Sequence, residues 1–142
     1  WAEASDVSRD ALIAGLDDPA TLALSHWCWR TCEREALHIS MAATHYAIEG
    51  ATGDWSNLVC STDTYAQTFP EADRKKATRW LRQHAQYDDT HPWEALDIIC
   101  TLLGHEPEAK QLEQLRLAIC TSYRYMAMTL DRCMQMAPAK QD

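Results

Sequence analysis

Apolar residues recur every three or four positions along most of this chain, as they do on the buried face of a helix. The clearest example is the segment from Glu106 to about Met136, whose apolar positions are Leu112, Leu115, Ile119, Tyr123, Met126 and Leu130. No segment alternates apolar and polar residues in the manner of a half-buried strand. The pattern therefore predicts an all-α domain built as a helical bundle.

Helix start and stop signals divide the first half of the chain. A short helix is predicted from Ser5 or Ser8 to Gly15. Asp18 followed by Pro19 indicates the start of the next helix, which should continue to about Glu49 with a bend near positions 32–35. The sequence Gly-Ala-Thr-Gly at 50–53 predicts a break, after which Asp54 would cap a further helix.

The second half divides in the same way. Pro70 is expected to open a helix that runs to His91, where Pro92 would end or kink it. Trp93 to Leu103 should form an apolar helix closed by Gly104, and the long last helix follows it. The whole chain, 1–142, is expected to be one helical domain, with a frayed tail at 137–142.

Composition narrows the class of protein. Apolar residues make up 46% of the 142 positions and the formal net charge is −8, which favours a globular domain and disfavours a nucleic-acid partner. No apolar run approaches the roughly 18 residues of a membrane span. The six cysteines are scattered through apolar helical surroundings, so we expect small buried side chains in a reducing, cytoplasmic compartment.

The most informative segment is the sequence 84–91, which contains His84, Asp88 and His91. On one continuous helix Asp88 would lie roughly 40° around from His84, and His91 roughly 20° to the other side. Imidazole and carboxylate groups that project together are typical ligands of a transition metal. The spacing therefore predicts that these three residues bind a metal ion.

A second helix offers a similar set. His45 and Glu49 would each fall within roughly 20° of His38 by the same arithmetic. Helical bundles build two-metal centres from such inward-facing residues on separate helices. Tyr46 and Trp55, which lie close to Glu49 in the sequence, are the predicted walls of an adjoining pocket.

The motifs resemble those of a known group. The sequence 46–56, Tyr-Ala-Ile-Glu-Gly-Ala-Thr-Gly-Asp-Trp-Ser, and the later His-x3-Asp-x2-His-Pro-Trp-Glu of 84–94 resemble haem-oxygenase-like di-iron oxidases. These iron-containing redox enzymes are a branch of the TenA/PQQ-biosynthesis structural group. The resemblance implies a helical bundle that binds two iron ions, activates O2 and oxidises a small amino-acid-like or fatty-acid-like molecule.

The resemblance also implies a ligand set, of which Glu49, His84, Asp88 and His91 carry over by motif. The Glu-x6-His element that supplies further ligands in relatives is absent from this sequence. We therefore expect the chain to correspond to the later part of a family domain, without its first helices. Completion by those helices or by a second copy of the chain is expected. Manganese and zinc also suit these ligands.

Two alternatives stay open. The first is a metal-free, TenA-like hydrolase of a thiamin-type pyrimidine, for which Cys60 is the nearest candidate nucleophile. The second is a non-catalytic helical binding or regulatory protein that keeps a vestigial site. In the enzymatic reading the partners are O2 and a small organic substrate, with neither nucleic acid nor membrane involved.

Overall fold

The computed structural model describes residues 2–15, 18–87 and 90–136, and within these ranges the chain is helical without any strand. The all-α prediction is confirmed. After a 3-10 turn, Ala2–Ser5, the α-helices are α1 (Arg9–Gly15), α2 (Pro19–Arg34), α3 (Leu37–Met41), α4 (Gly50–Cys60), α5 (Thr64–Gln67), α6 (Arg74–Tyr87), α7 (His91–Leu103) and α8 (Ala109–Met136). A π-helical segment, Ala42–Glu49, joins α3 to α4. The predicted tail at 137–142 lies outside the described residues.

Three predicted helix ends are confirmed by their hydrogen bonds. The Ser8 hydroxyl accepts from the Ala11 backbone N–H at 3.1 Å at the start of α1. Asp18 caps α2 by accepting from the backbone N–H groups of Ala20 and Thr21. Gly104 ends α7 with a positive φ of 74° and donates its N–H to the Cys100 carbonyl.

The predicted break at Gly50–Gly53 is wrong, because the backbone is helical through these residues and α4 follows the π-helical segment directly. Gly50 serves a packing role instead. A Cβ atom at this position would lie 3.3 Å from Cγ of Pro92, a tighter distance than most such contacts. The glycine therefore lets the start of α7 approach closely.

Pro92 was expected to end or kink the helix before it, and this prediction is also wrong. α6 ends at Tyr87, whereas His91 and Pro92 are the first two residues of α7. A proline in the first helical turn costs no hydrogen bond, because the N–H groups of that turn have no partner within the helix. Proline interrupts a helix when it lies in the interior, but Pro92 lies in the first turn of α7, where it is tolerated.

The core lies where the π-helical segment meets α7 and α8. Its buried members are Ile39, Ala42, Ala43, Ile99, Leu115 and Ala118. Ala42, Ala43 and Ala47 have no exposed surface, so the fully buried side chains of the segment are all small. The helices can therefore pack against its backbone at close range.

A polar link joins α2 to α8 beside this core. The Trp27 indole N–H donates to the hydroxyl of the fully buried Ser122 at 2.8 Å. The Trp27 and Tyr125 rings lie 6.0 Å apart between centroids. This link satisfies both polar groups inside an otherwise apolar contact.

Several apolar residues are more exposed than the sequence predicts. All six cysteines are free, yet none is buried: Cys32, Cys100 and Cys133 are exposed, and the other three are half-buried. On α8, Leu115 is buried as expected, whereas Leu112 and Leu130 keep nearly half of their surface exposed. Other helices do not cover these faces within the described residues. None of the described helices is long and apolar enough to cross a membrane.

Candidate functional site

Glu49 ends the π-helical segment and lies between two imidazole rings. One carboxylate oxygen, Oε1, is 3.9 Å from Nε2 of His45, and the other, Oε2, is 3.8 Å from Nδ1 of His91. All three side chains are between a third and a half exposed. π-Helical turns are rare and often occur at functional sites. His45 and Glu49, four residues apart, lie on the same side of this segment.

Local hydrogen bonds determine that the His45 nitrogen facing Glu49, Nε2, carries a lone pair and not a hydrogen. The Thr44 hydroxyl donates its one hydrogen to the Ser40 carbonyl at 2.7 Å. It can therefore only accept from Nδ1 of His45, which lies 3.0 Å away. Because Nδ1 carries the hydrogen, Nε2 of the neutral ring points an acceptor at the Glu49 carboxylate. Two acceptors face each other, and a proton or another cation between them would satisfy both.

A pocket of about 320 Å³ surrounds these groups. Its described lining consists of Met41, His45, Glu49, His91, Glu94, Ala95 and Ile98. Glu94 is a member that the sequence analysis missed. It lies in the first turn of α7, three residues after His91, and the His-Pro-Trp-Glu sequence could have indicated it.

The three described residues of the predicted metal set lie on three elements. Glu49 ends the π-helical segment, His84 lies on α6 and His91 begins α7, so the single-helix geometry used for the 84–91 segment is wrong. Asp88 lies outside the described residues. Among the described side chains, no group of three or more His, Cys, Asp or Glu is arranged to hold a metal ion. The prediction of metal ligation by the four residues together stays a prediction.

His84 is held by its own helix. Its Nδ1 lies 2.9 Å from the Trp80 carbonyl oxygen, and its ring lies against the Trp80 indole in a tilted arrangement with centroids 4.0 Å apart. Trp80 and Trp55 in turn line an apolar cavity of about 550 Å³, together with Val59, Tyr65, Ala77 and Leu81. Trp55 is thus a pocket wall, but of this cavity and not of the Glu49 pocket.

The remaining predicted pocket residues lie elsewhere. Tyr46 packs against the core cluster, and His38 is a half-buried residue of α3. Neither is among the described lining of the Glu49 pocket. Their predicted role beside Glu49 therefore gains no support from the geometry.

One thiol, Cys28, and one phenol, Tyr123, have a raised pKa and are therefore weak nucleophiles. Burial, with a smaller contribution from the neighbouring Cys32, raises the pKa of the Cys28 thiol. Burial also raises the pKa of Tyr123, and the nearby Tyr46 and Asp54 add to this effect. Both groups are therefore held in their protonated forms at neutral pH.

Comparison with solved structures places this fold. The chain is similar to a TenA homolog from Pseudomonas syringae pv. tomato str. DC3000, with 53% sequence identity and a TM-score of 0.90. The similarity covers 96% of this chain, which spans 56% of that protein. No family model and no curated protein matches the chain. The helical fold is therefore TenA-like. This comparison provides no support for the di-iron oxidase branch.

Proposed function

We propose that this chain carries part of the active site of an enzyme with a TenA-like fold, and that the reaction is metal-dependent oxidation of a small organic molecule. The supporting observation is the Glu49 carboxylate, which faces imidazole nitrogens of His45 and His91 at 3.8–3.9 Å inside a pocket. An oxygen donor beside nitrogen donors is a set that suits iron or manganese.

Glu49, His84 and His91, with Asp88, would hold the metal, and bound iron would supply the activation of O2. The chemistry of this donor set fits such an ion, although the described residues alone form no group of three ready ligands. The chain's own contribution is orientation. The Glu49 carboxylate offers both oxygens, and the hydrogen bond of His84 holds its Nδ1 atom so that Nε2 is left as a donor atom. His45 adjoins this set, with Nε2 3.9 Å from Oε1 of Glu49.

A second candidate is the metal-free hydrolysis of a thiamin-type pyrimidine by a cysteine nucleophile. The comparison supports this candidate more directly, because the similar protein is described as a TenA homolog. The geometry supports it less. Cys60 ends α4 as a half-buried thiol, and the described lining of the Glu49 pocket contains no cysteine. A catalytic thiol needs an adjacent base or a cationic neighbour that favours the thiolate.

One set of measurements separates the two candidates. Protein purified without chelators would be analysed for bound iron, manganese and zinc, and then tested for substrate-dependent O2 consumption and for thiamin hydrolysis. We expect stoichiometric iron or manganese in the wild type and a large loss of it in Asp88→Ala and Glu49→Gln. Glu113→Gln, which changes an exposed carboxylate on α8, is the matched control and should keep its metal.

Two outcomes would overturn the oxidation proposal. One is full metal content in both Asp88→Ala and Glu49→Gln. The other is thiamin hydrolysis by metal-free protein that Cys60→Ser abolishes, which would establish the hydrolase instead. Retention of hydrolysis in Cys60→Ser would remove that thiol from the second candidate.

A further inference from the structure

His84 is bonded to its own helix in a way that defines its tautomer. The Nδ1 atom lies 2.9 Å from the backbone carbonyl oxygen of Trp80, one turn earlier on α6. A carbonyl oxygen only accepts, so Nδ1 must carry the hydrogen. The neutral ring therefore has its lone pair on Nε2, the nitrogen that points away from the helix backbone.

The indole of Trp80 restrains the same ring from a second direction. The two ring centroids are 4.0 Å apart and the planes are inclined by 37°. A ring contact at this distance resists rotation of the imidazole about its bond to Cβ, and such rotation would break the hydrogen bond from Nδ1. Trp80 is itself supported by Trp55 of α4, whose ring lies 6.4 Å away.

We propose that Trp80 is a positioning residue for His84: its indole holds the imidazole in the orientation in which Nδ1–H is bonded and Nε2 is free to bind a ligand. This inference rests on the proposed function for the identity of that ligand, a divalent metal ion. The orientation itself does not depend on the metal, since both contacts are present in the protein alone.

The arrangement resembles that of His45, where Thr44 engages Nδ1 and leaves Nε2 as the acceptor. In metal sites, a hydrogen bond from the other ring nitrogen commonly orients the ligating histidine. Two histidines on separate elements, His45 and His84, thus have the same nitrogen engaged locally. For His84 the restraint comes from an aromatic side chain, which a substitution can remove without touching the backbone acceptor.

The test reads the tautomer of His84 by long-range ¹H–¹⁵N NMR of metal-free protein at pH 8, where imidazole is neutral. The spectrum of His84→Gln assigns the signals. We expect the Nδ1–H form in the wild type and in Trp80→Phe, which keeps an aromatic ring. In Trp80→Ala the freed ring should shift towards the Nε2–H form that imidazole side chains prefer in water.

Trp29→Ala is the matched control, because Trp29 lies on α2 with 66% of its surface exposed. This variant should leave the His84 signals unchanged. An Nε2–H tautomer in the wild type, or a His84 spectrum unaffected by Trp80→Ala, would overturn the proposal.

A second readout connects the position of the ring to metal binding. Titration with Co²⁺, followed by visible absorption, should show binding weakened about tenfold or more in Trp80→Ala and little changed in Trp80→Phe. If the wild type binds no Co²⁺, the metal proposal fails while the NMR result still decides the role of Trp80. Equal Co²⁺ affinity in the wild type and Trp80→Ala, with His84→Gln weakened, would overturn the proposed role of Trp80 in ligand binding.

Discussion

The two sides of this molecule differ in how completely they are packed. Around the π-helical segment, Ala42, Ala43 and Ala47 have no exposed surface, and α7 and α8 lie directly against them. Between α4 and α6, by contrast, Trp55 and Trp80 remain 42% and 47% exposed around an apolar cavity. Small buried residues, such as Ser56 and Ala77 between α4 and α6, occur in both contacts, and the α4–α6 contact adds large aromatic residues that stay half exposed at a cavity.

This difference indicates where stability and where binding reside. Tight packing of small side chains leaves no room for change, so the core region should be the most sensitive to substitution. Half-exposed aromatic residues around a cavity contribute less to folding and offer surface to another molecule. Glu49 lies at the boundary, since its own segment is buried on one face and lines a pocket on the other.

The largest effect is expected from Ala43→Leu, which inserts a large side chain into the fully buried face. The free energy of unfolding should fall by about 1–3 kcal/mol, because the helices must move apart to accommodate it. Urea denaturation measures this change. Ala127→Leu on the exposed face of α8 is the control and should change stability by less than about 0.5 kcal/mol. Equal effects of the two substitutions would contradict the comparison.

Trp27→Phe should have the next largest effect. It removes the indole N–H and leaves the buried Ser122 hydroxyl without that donor, at a cost of about 1–2 kcal/mol. A double-mutant cycle with Ser122→Ala isolates the hydrogen bond from the change in ring size. Strictly additive effects in this cycle would show that the bond contributes nothing to stability.

A smaller effect is expected at the edge of the packed side, where Arg132 of α8 bonds to Asp18 at 2.8 Å. This hydrogen bond holds the pKa of Asp18 below its ordinary value of 3.8. A lowered folded-state pKa means that the stabilisation is present above the unfolded-state pKa and disappears as pH falls through the folded-state value. Asp18→Asn keeps a good helix cap but loses the charge.

We expect Asp18→Asn to lower the Tm by about 1–2 °C at pH 7, since exposed ion pairs contribute little. The difference from the wild type should shrink steadily as pH falls below 4 and vanish once Asp18 is protonated. Thermal unfolding followed by circular dichroism at several pH values measures this. A difference that grows in acid would contradict the assigned sign.

The smallest effect is expected from Leu58→Ala on the open side. Leu58 is 71% exposed on α4, so the free energy of unfolding should change by less than about 0.5 kcal/mol. Urea denaturation provides the measurement. A loss comparable with that of Ala43→Leu would mean that this face is covered in solution, and the contrast between the two sides would no longer hold.

Much of the fold could be predicted from local signals alone. Ser8, Asp18 and Gly104 form helix ends through hydrogen bonds to residues only a few positions away. The local sequence is therefore sufficient to predict these ends. Pro92 was misinterpreted although proline in the first turn of a helix is a local start signal. Gly50 was misinterpreted because its role arises from contact with Pro92. That contact joins residues far apart in the sequence, and no local pattern could reveal it.

The site was predictable in its chemistry but not in its geometry. Helical arithmetic identified His45 and Glu49 as neighbours, and the structure places them 3.9 Å apart. The same calculation of helical angles failed for the 84–91 segment because it assumed one continuous helix, whereas His91 begins α7. The association of His91 with Glu49 depends on how α7 packs, as does the inclusion of Glu94 in the pocket lining.

The π-helical hydrogen bonding of Ala42–Glu49 has a consequence for the length of the chain. A π-turn accommodates one more residue than an α-turn, so deleting a single residue here would allow regular α-helical bonding from α3 into α4. The part after the deletion would then turn by about 100° relative to the part before it. The number of residues in this segment therefore sets the angle around the helix axis between the packed alanines and the Glu49 carboxylate. Deleting one residue would change that angle even if every other side chain were kept.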